Sequence, residues 1–338
     1  MLVIMEQWDE AGCHTNNTYK YLLLMISKLG LDALVFYFCC QKVYTFFLNM
    51  CSLALLLVDV LMVLIMATVW FLGPDKSPLS PCFVLTNASA TYGALPLPMM
   101  ILGLLNYSLE DASPNNHSSF CKLVRNAVLT LLVLILAATF TFGSGKVELK
   151  DQRIGTWTVM FVCRLSDCSV ITYFVLGLFI AVICTLLPFC SMIPRWVKES
   201  NKISLARDED HKKRRSDLMS TQTKSVYTKS AEENYLEDSD WQRPPLWLSL
   251  TLGFGLFWMP YLVVSVGCWL IGLVVPAYLT VNILWLECVN SLIVGVVFWV
   301  KSKTQGPYSN LPGNVCSWQV FWHLSKGTQQ LQPPHACV

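Results

Sequence analysis

Seven long apolar stretches alternate with polar connections along the chain. They run over about 19–40, 46–71, 82–105, 123–142, 169–193, 246–273 and 276–300. Each reaches the roughly 20 apolar residues that a helix needs to cross the hydrocarbon of a bilayer. A segment in lipid must satisfy its own backbone, so single runs of this length predict helices. The expectation is an all-α membrane protein, a seven-transmembrane helix bundle. The third stretch is interrupted by Asn87, Pro96 and Pro98. Leu95-Pro96-Leu97-Pro98 should bend or unwind that helix, because each proline removes an amide donor. Such breaks survive in lipid where neighbouring helices re-satisfy the backbone, which places the third helix centrally.

Composition points the same way. The 338 residues are 54% hydrophobic and 14% charged, against roughly 25% charged in a soluble domain. A soluble enzyme built around one core is excluded. Orientation follows from where Lys and Arg fall. With the N-terminus outside, the inside segments carry Lys42, Lys122, Arg125, the basic part of 194–245, Lys301, Lys303 and Lys326. The outside segments then carry Lys20, Lys76, Lys146, Lys150, Arg153 and Arg164. The predicted layout is an extracellular N-terminus over 1–18, the bundle over 19–300 and a cytoplasmic tail over 301–338. Met1–Ala11 lacks the basic start and cleavage site of a signal peptide, so the first helix is expected to act as its own signal-anchor. Asn16-Asn17-Thr18 is a glycosylation sequon on the outer side, with Asn16 as acceptor.

Residues 194–245 have a different character. Lys212-Lys213-Arg214-Arg215 comes early, and Glu232, Glu233, Glu237, Asp238 and Asp240 follow. With few apolar residues this reads as a disordered cytoplasmic loop whose basic end lies on anionic membrane lipid. Phosphate on Ser216, behind Lys213-Arg214-Arg215, would weaken that attraction. His14, His117, His211, His323 and His335 all fall outside the apolar stretches, and no His/Cys/Asp group has metal-ligand spacing. No phosphate-binding loop or nucleophile elbow appears. Neither an enzyme, a cofactor, a metal nor a nucleic-acid partner is expected.

Ionisable residues within apolar spans mark function by default. Asp59 stands alone in the second stretch, and Lys28 and Asp32 share one face of the first at i,i+4. Glu287 in the seventh could meet a cationic ligand group or bond to a neighbouring helix. In the sixth, Phe254 and Trp258 lie one turn apart above Pro260. A proline kink flanked by bulky aromatics suits a two-state element.

Phe254-x-x-x-Trp258-x-Pro260 resembles the Phe-x-x-x-Trp-x-Pro signature of rhodopsin-like G-protein-coupled receptors. Asp59 in Leu55-Leu56-Leu57-Val58-Asp59 is similar to that family's Leu-Ala-x-x-Asp. Asn290-Ser291 through Phe298 resembles its Asn-Ser-x-x-Asn-Pro-x-x-Tyr, with Val294 and Gly295 in the Asn-Pro places and Phe298 in the Tyr place. The resemblance covers all seven stretches. It implies a plasma-membrane receptor for an extracellular ligand, coupled to a heterotrimeric G protein or arrestin. It also implies an activation switch of Phe254, Trp258, Pro260, Asn290, Ser291 and Phe298. Asn106, Tyr107 and Ser108 would face the G protein, where relatives carry Asp-Arg-Tyr, and the Arg is absent. The implied ligand pocket involves Ser89, Tyr92, Trp258, Tyr261, Trp285 and Glu287. The third helix lacks an amine-binding Asp, which favours a peptide or a lipid over an amine.

The resemblance further implies a disulfide from Cys82 to Cys163, with Cys168 as the substitute. A second link from Cys13 to Cys268, and palmitoylation at Cys39 and Cys40, are weaker expectations. Asp32 stands where relatives carry an Asn facing Asp59. Two facing carboxylates repel unless a cation intervenes. Either Lys28 supplies that cation, replacing the sodium ion bound by many relatives, or Lys28 reaches out to the headgroups and Asp32 is protonated. Two other classes remain open. One is a seven-helix scaffold or decoy without G-protein coupling. The other is a transporter using Lys28, Asp32, Asp59 and Glu287, against which stands the lack of an inverted repeat.

Overall fold

The computed structural model describes residues 2–8, 14–39, 46–73, 79–112, 119–144, 149–154, 158–201 and 244–304. Most of the 194–245 loop with its basic and acidic runs, the tail beyond residue 304, Cys13 and Cys40 lie outside the described residues, as does the side chain of Cys39. Among the described residues, seven helices are long and apolar enough to cross a membrane. The chain is an all-α, multi-pass membrane protein of the seven-helix type.

In chain order the helices are α1 (Thr18–Cys39), α2 (Phe47–Leu72), α3 (Pro81–Ala94), α4 (Pro96–Ala112), α5 (Ser119–Ser144) and α6 (Ser169–Leu186). They continue as α7 (193–201), α8 (Leu246–Leu270), α9 (Ala277–Thr280) and α10 (Ile283–Thr304). Spans 1, 2, 4, 5 and 6 are α1, α2, α5, α6 and α8. Span 3 is α3 with α4, broken at Leu95 just before Pro96, where the proline pair interrupts the ladder. Α4 also runs to Ala112, past the expected end at 105.

Three expectations need correction. The seventh helix, expected as one piece over 276–300, is broken: α9 stops at Thr280, Val281 turns extended (φ −79°, ψ 94°), and α10 begins at Ile283. Asn282 explains the restart. Its side-chain oxygen accepts the Trp285 amide at 2.8 Å, the bond of an N-cap residue. The fifth helix, expected to reach 193, gives way to a 3₁₀ turn at Leu187–Phe189, with Pro188 at its start. Helix resumes over 193–201, so the first residues of the 194–245 loop are ordered rather than disordered. The reason is apolar contact: Trp196 buries against Leu248 and Leu252, with Leu186, Phe189, Met192 and Ile193 around it.

The third correction concerns 1–18, which is more than a tail. Strands β1 (Leu2–Trp8), β2 (His14–Asn16), β3 (Leu149–Ile154) and β4 (Thr158–Arg164) form an antiparallel sheet in the order β2-β1-β4-β3. Β1 alternates as a half-buried strand should, Val3 and Met5 inward and Ile4 outward. The register against β4 shifts between Ile4 and Glu6. At that irregularity the Ile4 carbonyl accepts from the Tyr21 hydroxyl (3.2 Å) and the Asn17 side-chain Nδ2 (3.4 Å), which ties the sheet to α1. Asn16, the expected glycan acceptor, accepts the Thr18 amide at 2.8 Å through its side-chain oxygen and so caps the chain's turn into α1.

The chain divides into two compact units, Met1–Gly177 with Pro260–Val297 and Leu178–Met259 with Phe298–Val338. In the first, α1, α2, α3 and α5 pack on one another around Met25, Leu55, Met66 and Leu85, all fully buried. Small residues set the closest approaches, as usual between membrane helices. A Cβ on Gly103 would come within 3.1 Å of Leu48, and one on Gly93 within 3.6 Å of the Ala277 Cβ. In the second, a Cβ on Gly255 of α8 would meet Val182 of α6 at 3.2 Å. Leu23, Leu24, Leu34, Leu64, Leu131 and Leu136 face outward, where lipid solvates them.

Candidate functional site

The ionisable residues that the spans carry do not scatter. Lys28 of α1 turns inward and places Nζ 2.6 Å from Asp59 Oδ1 of α2, both side chains being buried. The Tyr92 hydroxyl of α3 donates to the same oxygen at 2.6 Å. The Lys28 ammonium also lies 4.5 Å from the centre of the Tyr92 ring, a cation–π contact. Asp32, one turn along α1 from Lys28, is fully buried. Its Oδ1 accepts the Ile283 amide at 3.1 Å.

That last bond explains how α10 begins inside the bundle. Ser52 of α2 donates to Glu287 at 3.5 Å, and the Asn290 amide donates to Asn49 at 3.1 Å. Three residues down α2 match three residues along α10, so the two helices run antiparallel in register. On that register Ile283 is level with Leu56, nine residues from the start of α2 at Phe47, or about 14 Å along its axis. A helix start at that depth has amides with no water to bind. Asp32 and Asn282 satisfy two of them.

A second polar cluster lies one to two turns further along α10. The Tyr107 hydroxyl of α4 donates to Asn290 Oδ1 at 3.0 Å, and its ring stacks on Phe46 at 5.6 Å. Tyr107 thus links α4, α10 and α2 through Asn290 and Asn49. Asn106 and Ser291 are buried beside it, and Ser108 bonds back to the Leu104 carbonyl at 2.9 Å. Tyr107→Phe leaves the Asn290 oxygen without its donor. We expect a loss of about 1–3 kcal/mol in thermal unfolding of the purified protein. Asn290→Ala should cost less in the Tyr107→Phe background than alone, because the Tyr107 bond is already gone and only the bond to Asn49 is still lost.

Residues expected around a ligand are placed as follows. Tyr92 belongs to the Asp59 cluster. The Ser89 hydroxyl donates to the Ser166 carbonyl. Trp285 is fully buried, edge-on to Phe174 at 6.2 Å between ring centres. Tyr261 lies in α8, and Glu287 is buried against Ser52. Of the switch residues, Phe254, Trp258 and Phe298 are buried in the second unit, and Pro260 lies inside α8. Cys82 and Cys163 form a disulfide. Cys168 is a free, buried thiol that points at the Gly93 carbonyl (3.7 Å), and burial raises its pKa.

Sequence reasoning missed Asn49, Asn282 and the amide of Ile283. Asn282 ahead of an apolar run carried a helix-start signal. Asn49 is short and polar near a helix end, and nothing in its neighbours marks it.

The described residues combine seven candidate membrane spans with a disulfide from the start of span 3 to the segment before span 5 and two buried polar clusters. The chain is similar to "Probable G-protein coupled receptor 160" of Homo sapiens, 21% identical over 289 residues that cover 83% of this chain and 79% of that protein. No family model matches the chain, and no solved structure matches it.

Proposed function

We propose that the chain is a rhodopsin-like G-protein-coupled receptor of the plasma membrane, with its N-terminus outside, that carries an extracellular signal inward by rearranging α8 about Pro260. The observation that carries this reading is the pairing of the Cys82–Cys163 disulfide with seven spans in one chain. The similarity to a receptor over most of both chains supports it. Pro260 inside α8, below the buried Trp258, supplies a hinge and a side chain that must move with it. The ligand is a peptide or a lipid rather than an amine. It approaches Ser89, Tyr92, Tyr261, Trp285 and Glu287 from the side of the sheet, and differential contacts there bias the α8 equilibrium. A heterotrimeric G protein or arrestin reads the opposite side at Asn106, Tyr107 and Ser108.

One observation favours a scaffold that never activates a G protein. Tyr107 takes the place of the Arg that engages the transducer, and it bonds to Asn290 instead. Nucleotide exchange on purified G proteins, with the chain reconstituted in vesicles, separates the readings. A receptor raises exchange above empty vesicles and responds to Trp258→Ala. Silence across the panel from folded protein favours the scaffold.

A further inference from the structure

Between the disulfide and α6 the chain runs extended along α3. The Thr86 hydroxyl donates to the Arg164 carbonyl at 3.3 Å, the Ser89 hydroxyl donates to the Ser166 carbonyl, and the Cys168 thiol reaches the Gly93 carbonyl at 3.7 Å. With Cys82 bonded to Cys163, the α3 partners are Cys82, Thr86, Ser89 and Gly93, one helical turn apart on one face. The lengths agree. Residues 82–93 rise about 16 Å as helix, and residues 163–168 span about the same distance as extended chain. From the other side, the Ala277 amide donates to the same Ser166 carbonyl at 3.2 Å, and Asp167 bridges to Pro276.

These bonds address the segment's main chain. Thr86, Ser89 and Ala277 all address carbonyl oxygens, and the Ser166 and Asp167 side chains are exposed. Leu165 alone between the cysteines is buried, at 1% exposure. Main-chain hydrogen bonds plus a pocket for one apolar side chain are how grooves bind extended peptides. None of these contacts depends on the residues at 164, 166 or 167, so another peptide of the same shape would find the same donors.

We propose that the facing surfaces of α3 and α9 form a binding site for an extended peptide main chain with one apolar anchor, and that the chain's own Arg164–Cys168 segment fills it as a tethered occupant. This deepens the receptor reading by naming the ligand class, and rests on it for the biological role of that ligand. An incoming peptide displaces the segment while the Cys82–Cys163 disulfide keeps the loop attached.

The test uses the full chain in nanodiscs and a fluorescent synthetic peptide, Arg-Leu-Ser-Asp-Ser, which copies 164–168 with Ser for Cys168. Leu165→Asp removes the anchor of the tethered segment and leaves Thr86, Ser89 and Ala277 in place. We expect saturable binding to Leu165→Asp at least about tenfold tighter than to the unmodified chain. Adding Ser89→Ala should weaken it about threefold to tenfold, the range for one hydrogen bond. Equal binding to both chains, or indifference to Ser89→Ala, overturns the proposal.

Should Leu165→Asp fail to fold, native Cys168 reports on the same contacts. With every cysteine other than Cys82, Cys163 and Cys168 replaced by Ser, a maleimide should label Cys168 slowly in the otherwise unmodified chain. Labelling should be several-fold faster in Thr86→Val with Ser89→Ala. Labelling of the unmodified chain as fast as in denatured protein overturns the proposal. No transducer enters either measurement, so a chain silent toward G proteins can still bind the peptide, and a coupled receptor can still fail to.

Discussion

Lys28→Met is expected to destabilise the protein by about 3–5 kcal/mol, the usual loss when one partner of a buried ion pair is removed. The magnitude follows from what remains. Asp59 keeps the Tyr92 hydroxyl but loses the ammonium at 2.6 Å, and Asp32 is buried one turn along α1 from residue 28. Two carboxyl groups in neighbouring apolar spans then lie close together, with no other cation among the described residues bonded to them. The measurement is unfolding of purified protein in detergent, with Asp59→Asn as the partner variant. Lys28→Met combined with Asp59→Asn should recover most of the loss, since the double variant buries no unpaired charge at Asp59. A Lys28→Met protein as stable as the original, within about 0.5 kcal/mol, would remove the pair from any account of stability. The same cluster makes a claim about ions. A covalently tethered ammonium already occupies the position beside Asp59, so sodium should leave the stability curve unchanged apart from general ionic-strength effects.

The second large effect is expected from the disulfide. Cys82→Ser and Cys163→Ser should each cost about 2–5 kcal/mol, and the double variant no more than either alone. The link closes a separation of 81 residues, and it fixes the end from which residues 163–168 run along α3. Its loss should therefore also speed maleimide labelling of Cys168. The sign of the pH dependence is set by burial, which raises the Cys168 thiol above its ordinary pKa and keeps it protonated in the folded protein. Labelling needs the thiolate. Its rate should stay low through neutral pH and rise only under more alkaline conditions than for an exposed thiol. Unseating the segment moves that rise to lower pH. A protein carrying both Cys82→Ser and Cys163→Ser, with unchanged melting and unchanged labelling, would show that the disulfide is dispensable to this end of the fold.

The Asp32–Ile283 contact shows where sequence reasoning stops. Asp32 was visible as an ionisable residue in a span, and its i,i+4 relation to Lys28 put both on one face. That reasoning paired it with Asp59 through Lys28, and it stood silent about an amide 251 residues away. The bond exists because α10 starts deep in the bundle, and α10 starts there because Asn282 caps it after the turn at Val281. Each step is local, yet the contact follows only once α1 and α10 lie side by side. The sheet is a similar case. Leu2–Trp8 and Thr158–Arg164 carry strand-forming residues, but a strand needs a partner, and these partners are about 150 residues apart.

What the sequence determined by itself is what can be measured against the bilayer one segment at a time: seven spans, the break before Pro96, the ionisable residues within the spans, and cysteines able to join span 3 to the segment before span 5. Length and hydrophobicity are properties of a segment alone, and lipid imposes the same demand on each. The tertiary structure alone decided that Cys163 pairs and Cys168 stays free. It also decided that Tyr107 turns to Asn290, that Asp32 receives the start of α10, and that residues 163–168 lie in the face of α3. Those outcomes depend on helix rotation and depth, which are set when faces from distant parts of the chain compete for the same partners in the packed bundle.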